Sequence, residues 1–468
     1  MSITGPAIAP KSLGKRSGAT GKGRHRKTTR HGLLRVGWPV IILALAALAC
    51  NIRQAPPPSP SPAPPPTFCR RFADVPLRPR PADPAAYQVA IADFLSDGGS
   101  PEALEGMLRR WGVIDDQNGL VNAGHDFDND GFLDVVVTLH YPSIEATPQP
   151  SGQLLVLACR NTDARYEVLY GLASASDSAT GMPQIGYLGD VTNDRLPEVF
   201  FYTERCTRLA CFQEPHILSW HAAEGRFQPL GEFEPAHPYL DDDGQPIPGF
   251  PFAQFRFEGL TGNGPAEFIV QEGHISQREA GPHRPARYIW IWRGAEYAHP
   301  IVEYDPSSYR IHALRDADRL LLVGDLDEAI RAYTETLENR SLIPWGGPYP
   351  NPESYALEER MLDAYTRYRL VLAHAATGDG EAQSVFEIMQ LLAPWPSDNP
   401  ASPYTYLAQV FLQTLRNAEG DDPLGQACAQ VKRVAAAPSF TPTYEFLGDP
   451  AYFGPVLGDY TVDDLCPY

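Results

Sequence analysis

No Gly-x-Ser-x-Gly, no His-Glu-x-x-His and no complete phosphate loop occurs in the 468 residues, so the commonest signatures of serine hydrolases, zinc proteases and nucleotide-binding enzymes are missing. Ser12-Leu13-Gly14-Lys15 and Gly21-Lys22-Gly23 imitate such motifs only in a basic N-terminal segment, and the second lacks the required Ser or Thr. None of the seven cysteines has the Cys-x-x-Cys spacing of a zinc or dithiol site. His274 and His283, flanking Gly281-Pro282, read as loop histidines rather than ligands, and His125 reads as incidental rather than as a support for the acidic stretch that follows it. Positive charge is scarce too. Beyond residue 36 the chain has 57 acids against 29 bases, which argues against nucleic acid and suits a cation or a cationic partner.

What is present begins with targeting. Nine Lys or Arg and no acid fill residues 1–36, and an apolar run follows from Val36 to Cys50, ending Ala47-Leu48-Ala49-Cys50. Basic region, short apolar region and small residues at a cut form the order of a secretory signal. Three outcomes stay open: cleavage before a lipidated Cys50, ordinary cleavage at Ala-x-Ala, or an uncleaved run at the short limit for a membrane span. Ala47 and Leu48 depart from the usual lipoprotein pattern, in which Leu and a small residue stand at those places. Each outcome puts residues 55 onward outside the cytoplasm, with the membrane reached through an N-terminal lipid or helix. Residues 55–66 hold eight prolines in twelve and read as a polyproline II spacer.

With Cys50 as anchor, Cys69, Cys159, Cys206, Cys211, Cys428 and Cys466 form an even set in an oxidising compartment. Cys206 and Cys211 suit a hairpin clip. Cys428, in a late helix, and Cys466 suit a pin on the C-terminal tail. Cys159 follows Leu154-Leu155-Val156-Leu157-Ala158 and reads as a buried strand thiol.

Helical spacing over Tyr87–Leu95, a stop at Asp97-Gly98-Gly99, and a restart at Ser100-Pro101 running to Trp111 predict two helices packed as a lead-in on the first strands. Then comes Asp126-Phe127-Asp128-Asn129-Asp130-Gly131-Phe132-Leu133-Asp134, four carboxylates at positions 1, 3, 5 and 9 with glycine at 6, leading into the β-branched run from Val135. Hard oxygen donors so spaced can wrap a calcium ion; the plainer reading is a hairpin whose acids only cap turns. The pattern returns as Asp190-Val191-Thr192-Asn193-Asp194-Arg195-Leu196-Pro197-Glu198, with Arg195 in place of glycine. It returns again from Gly259 to Glu267, with only Thr261, Asn263 and Glu267 as donors. Offsets of 64 and 69 residues make it a repeat. Strand-like segments lie between the loops at 153–159, 165–170, 217–221, 227–233, 286–292 and 296–304.

These loops resemble the FG-GAP or VCBS repeat of integrin-type β-propellers and related bacterial surface proteins. The resemblance implies calcium held in a loop between two blade strands. Its ligands would be Asp126, Asp128, Asp130, Asp134 and the Phe132 carbonyl, with a weaker site at Asp190, Thr192, Asp194 and Glu198. The third loop would be an empty structural turn. Three units are one fewer than the smallest ordinary propeller, so an open, partial propeller capped by helices is expected.

From residue 310 the periodicity turns helical. Gly324-Asp325-Leu326-Asp327-Glu328-Ala329-Ile330-Arg331-Ala332-Tyr333 resembles a tetratricopeptide repeat, and helix pairs are expected at 353–376 with 380–393 and at 402–418 with 423–436. Such a stack offers a groove to a protein or peptide partner, or is simply a helical domain packed on the strands. An aromatic tail (Phe440, Tyr444, Phe446, Tyr452, Phe453, Tyr460) is expected to wrap over it.

The expected fold class is multidomain α+β, a partial β-propeller-like domain followed by a TPR-like helical-hairpin domain. The expected segments are 1–54 (basic tail and signal or anchor), 55–66 (linker), 67–112 (helical lead-in), 113–305 (β repeats), 306–437 (helices) and 438–468 (tail). The expected function is that of a non-enzymatic, calcium-stabilised binding or scaffold protein of the cell envelope. The competing expectation is a polysaccharide hydrolase whose catalytic carboxylates converge outside the loops.

Overall fold

Alternating apolar residues build three antiparallel meanders, each joined to the next by packing of opposite faces. The computed structural model describes residues 67–141, 151–160, 164–173, 181–236, 239–240, 245–260, 264–448 and 460–468. The expected signal run, Cys50, the spacer, Thr261, Asn263, Tyr452 and Phe453 lie outside the described residues. The described residues fall in one compact unit.

Two helices come first, α1 (Tyr87–Ser96) and α2 (Pro101–Trp111). The Ser100 hydroxyl accepts the Ala103 amide at 3.1 Å, Pro101 occupies the first turn, and Gly112 at φ 70° ends α2 in the left-handed conformation. The first sheet runs β1 (Leu120–His125), β2 (Asp134–Tyr141), β3 (Ser151–Arg160) and β4 (Arg165–Ala173), in that order. Val135, Val137, Leu139, Leu155 and Leu157 pack on Ile91, Phe94, Leu104 and Leu108 of the two helices. Their neighbours Val136, Leu154 and Val156 point the other way and meet Val199, Phe201, Leu218 and Trp220 of the second sheet.

That second sheet comprises β5 (Met182–Gly189), β6 (Glu198–Cys206), β7 (Cys211–His221) and β8 (Arg226–Pro229). The two-residue strands β9 (Tyr239–Leu240) and β10 (Pro246–Ile247) pair with each other, and β11 (Phe250–Pro251) pairs with β7. Phe200 and Ile217, on the opposite face, join Phe268, Val270, Tyr288 and Trp290 of a third sheet. This is β12 (Gln254–Glu258), β13 (Glu267–Gln271), β14 (Ala286–Trp292) and β15 (Tyr297–Tyr304). On its far face Arg287 pairs with Glu303 at 3.2 Å. The strand expected at 227–233 stops at Pro229, because the next residue changes sheets: the Leu230 amide donates to Ile217 O and its carbonyl accepts the Tyr297 amide.

Helices follow as α3 (Arg310–Leu322), α4 (Leu326–Glu338), α5 (Pro352–Thr377), α6 (Glu381–Leu392), α7 (Ser402–Asn417), α8 (Pro423–Ala435) and α9 (Thr441–Gly448). Gly324 at φ 81° turns the chain between α3 and α4, and Ala329 is fully buried where the two approach. One apolar core runs through these helices and takes in Tyr460, Leu465 and Cys466 of the C-terminal segment. The described residues are thus mixed α+β, with several antiparallel sheets and, among them, no closed barrel.

Three disulfides join Cys69 to Cys159, Cys206 to Cys211 and Cys428 to Cys466. The reading of Cys159 as a buried thiol is corrected: β3 carries it to the sheet face where residues 67–69 arrive. Three such bonds fit a chain that folds in an oxidising, extracytoplasmic compartment. Among the described residues no helix is long and apolar enough to cross a membrane.

Candidate metal centre

Each acidic loop joins the first two strands of its sheet, β1 to β2 and β5 to β6, and the two share a common set of hydrogen bonds. Asp126 accepts the amides of Asp130 and Gly131 at 3.1 and 2.9 Å; Asp190 accepts those of Asp194 and Arg195 at 3.3 and 2.8 Å. Asp130 accepts the Phe132 amide at 2.9 Å, and Asp194 accepts the Leu196 amide at 2.8 Å. Asn129 and Asn193 have φ 57° and 63°, and positions six, Gly131 and Arg195, have φ 90° and 77°. Two left-handed residues curl each loop so tightly that its carboxylates converge. The carboxylate oxygens of Asp126, Asp128 and Asp130 come within 4.8 Å of one another, as do those of Asp190, Asp194 and Glu198.

The ninth position ties each loop to its second strand. Asp134 accepts the Phe127 amide at 2.7 Å, Glu198 the Val191 amide at 2.8 Å and Glu267 the Leu260 amide at 2.7 Å. The third loop therefore keeps this tie while lacking the acids, and Gly259 stands at its first position.

The two acidic loops differ in what completes that ninth carboxylate. Glu198 Oε1 accepts hydroxyls from Thr192 at 3.2 Å and Ser219 at 3.3 Å, so both its oxygens are satisfied by protein. Asp134 is 1% exposed and its Oδ1 has no hydrogen-bond partner among the described residues. The residue corresponding to Thr192 is Asp128, which as a carboxylate has no proton to give. An unpartnered, buried carboxylate oxygen is costly, and a cation offsets that cost directly.

Electrostatics point the same way. Burial pushes the Asp134 carboxyl up to about 8; the Phe127 amide opposes this, and the charges of Asp128, Asp126 and Asp130 reinforce it. Asp128 rises to about 6, by burial first and then by the charge of Asp130, and burial also raises Asp130. Glu198 rises to about 7, again by burial, against its bond from Val191. These oxygen-rich groups fit a hard cation, although nothing in the donor set selects calcium over others of its kind.

Of the ligands named from the sequence (Asp126, Asp128, Asp130, Asp134 and the Phe132 carbonyl; Asp190, Thr192, Asp194 and Glu198), Asp126, Asp128 and Asp130 converge, as do Asp190, Asp194 and Glu198, whereas Asp134 stands outside the first group. Sequence reasoning missed Ser219, which reaches Glu198 from the third strand of its sheet, and it missed the contact of residue 67 with the first loop. Thr67 forms an isolated parallel bridge to Phe132.

Acids outside the loops converge less tightly. Glu232, Glu234 and Glu296 line an open cavity of about 580 Å³ beside Trp290 and Tyr297. Among the described residues only the two loops hold three carboxylates, thiolates or imidazoles within 4.8 Å. His283, expected in a loop, is 9% exposed, and its Nδ1 accepts the Ile275 amide at 3.1 Å. On the helical part Ile388, Leu391 and Leu392 of α6 stand 47%, 84% and 58% exposed.

Comparison of the chain with family models, with curated proteins and with solved structures finds no match.

Proposed function

We propose that the protein is a non-enzymatic, extracytoplasmic scaffold or binding protein whose β part is stabilised by one calcium ion in the loop Asp126–Asp134. The observation that carries this reading is the buried Asp134 carboxylate, whose Oδ1 has no hydrogen-bond partner among the described residues, together with the convergence of Asp126, Asp128 and Asp130, whose charges act on it. Asp126, Asp128, Asp130, Asp134 and the Phe132 carbonyl would hold the ion. Calcium fits a flexible loop that combines several carboxylates with a backbone carbonyl. The second loop, with Glu198 already completed by Thr192 and Ser219, needs no ion to be stable.

In this reading the three meanders are the blades of an unclosed, partial propeller of the FG-GAP or VCBS kind. Helices α1 and α2 cover the outer face of the first blade, and the last blade carries the Arg287–Glu303 pair on its outer face. The helical hairpins, TPR-like at Gly324–Tyr333, present a surface to a protein partner, with the exposed apolar residues of α6 part of it. The membrane is reached through the N-terminal segment, by lipid on Cys50 or by an uncleaved helix. No nucleic acid is a partner.

Thermal melting with calcium and with chelator, on the wild type and on the Asp128→Ala, Asp130→Ala double variant, tests the ion. Calcium at 100 times its Kd should stabilise the wild type by about 2.7 kcal/mol and leave the variant unchanged. Four superimposable melting curves would refute it. Mass spectrometry of the mature N-terminus tests the anchor, with diacylglyceryl on Cys50 as the expected product.

A further inference from the structure

The chain enters the described fold at the cation loop itself. The Thr67 amide donates to Gly131 O at 3.2 Å, and the Leu133 amide donates to Thr67 O at 2.8 Å. Leu133 N–H and Phe132 C=O belong to one planar trans peptide, so bonding the first to Thr67 turns the second away from Thr67 and fixes its direction. Phe132 is the residue whose carbonyl the calcium reading uses. Phe132, whose carbonyl would complete the ion's shell, is therefore the middle one of the three residues, 131–133, that receive the incoming chain.

A second link runs through Tyr166 on β4. Its hydroxyl donates to Leu133 O at 3.4 Å, is bonded by the Cys69 backbone, and is buried, with the ring 7% exposed. The Cys69–Cys159 disulfide then ties this entry point to β3. Upstream of Thr67 in the sequence stands the proline-rich stretch of residues 55–66. Any pull along that stretch reaches the fold at Thr67 before it reaches the disulfide two residues on.

We infer that cation binding in the loop Asp126–Asp134 and docking of residues 67–69 on that loop are coupled, so that the ion clamps the tether to the body. The coupling rests on the calcium reading above. It deepens that reading by assigning the ion a task, which is to hold the point at which the chain enters the described fold. With the ion bound, the 131–133 backbone is held in the one conformation that pairs with Thr67. Without it, the repelling carboxylates loosen the loop, and residues 67 and 68 peel off as far as the disulfide. Linkage makes the effect reciprocal: whatever weakens docking of Thr67 weakens the ion by the same factor.

Hydrogen exchange of the full-length chain, read by mass spectrometry with calcium and with chelator, tests this, alongside calcium affinity by isothermal titration. Calcium should slow exchange at least tenfold at the amides of residues 67 and 68, read in peptides that begin upstream of residue 67 and run into 67–75, as well as in peptides covering 126–140. Thr67→Pro, which deletes the amide bonded to Gly131, and the milder Tyr166→Phe should each lower calcium affinity at least threefold. If calcium binds and protects 126–140 but leaves the amides of residues 67 and 68 unchanged, or if both variants bind with wild-type affinity, the coupling is overturned while the calcium reading stands. If titration finds no calcium binding, both fall.

Discussion

Asp318 on α3 and Arg369 on α5 form an ion pair of 3.0 Å with side chains only 8% and 3% exposed, deep in the helical stack. Tyr333 and Tyr365 donate to the Asp318 carboxylate at 2.6 and 3.1 Å. The remaining Arg369 donors reach Tyr460, Asp464 O and Leu465 O at 3.0, 2.7 and 3.3 Å. The guanidinium thus spends its fork on the C-terminal segment, which the Cys428–Cys466 disulfide also pins. The tail completes a buried polar network instead of covering a finished surface.

Asp318→Ala strands a buried positive charge and should cost about 3–5 kcal/mol in urea unfolding. The paired variant Asp318→Leu with Arg369→Met should cost less than Asp318→Ala, because both charges leave together. Additive losses in the double variant would show that the two residues do not act as a pair.

Glu272 is 6% exposed and accepts the Ala286 amide at 2.8 Å. Burial, against that bond, pushes its carboxyl from an ordinary 4.5 up to about 8. The sign follows: the folded chain keeps this proton to higher pH than the unfolded chain, so the stability it brings is complete below about 4.5 and is lost as pH rises through 8. Glu272→Gln keeps an acceptor and never ionises. Relative to wild type it should gain about 4 kcal/mol between pH 4.5 and pH 9, read as unfolding free energies at the two pH values.

Local signals made the helices legible. Ser100-Pro101 and Gly112 bracket α2, and Gly324 turns α3 into α4, because caps and left-handed glycines act within a few residues. The loop at Asp126 was legible for the same reason, since its spacing and its glycine are written in nine consecutive positions. What escaped depended on contacts across the fold. Cys69 and Cys159 are 90 residues apart, and nothing near Cys159 names its partner. Ser219 reaches Glu198 only because β6 and β7 pair with Val199 opposite Leu218, a register no short segment discloses. Thr67 meets Phe132 by tertiary docking of an irregular segment. The strand end at Pro229 was missed because Leu230 leaves its own sheet to accept from Tyr297, a handover without periodicity.

Asp134→Asn should reverse its effect with the ion. In chelator the variant removes an unpartnered buried carboxylate oxygen while its amide oxygen still accepts from Phe127, so its melting point should rise by about 2 °C. In saturating calcium the wild type gains the ion's binding energy, which the variant loses, and the order inverts. A melting point that moves in the same direction in both media would show that Asp134 does not face a cation.

Gly131 and Arg195 occupy the same place in the two loops with φ 90° and 77°, yet only one is glycine. An L side chain in the left-handed region costs about 1–2 kcal/mol, part of which glycine returns as entropy of the unfolded chain. A Cβ built on Gly131 meets nothing within 4 Å, so Gly131→Ala should carry only this conformational cost, about 1 kcal/mol. Arg195→Gly should recover about as much in the second loop. Both values come from urea denaturation in chelator, so that the cation does not enter. A Gly131→Ala loss well above 2 kcal/mol would mean that the position is held by packing rather than by backbone handedness.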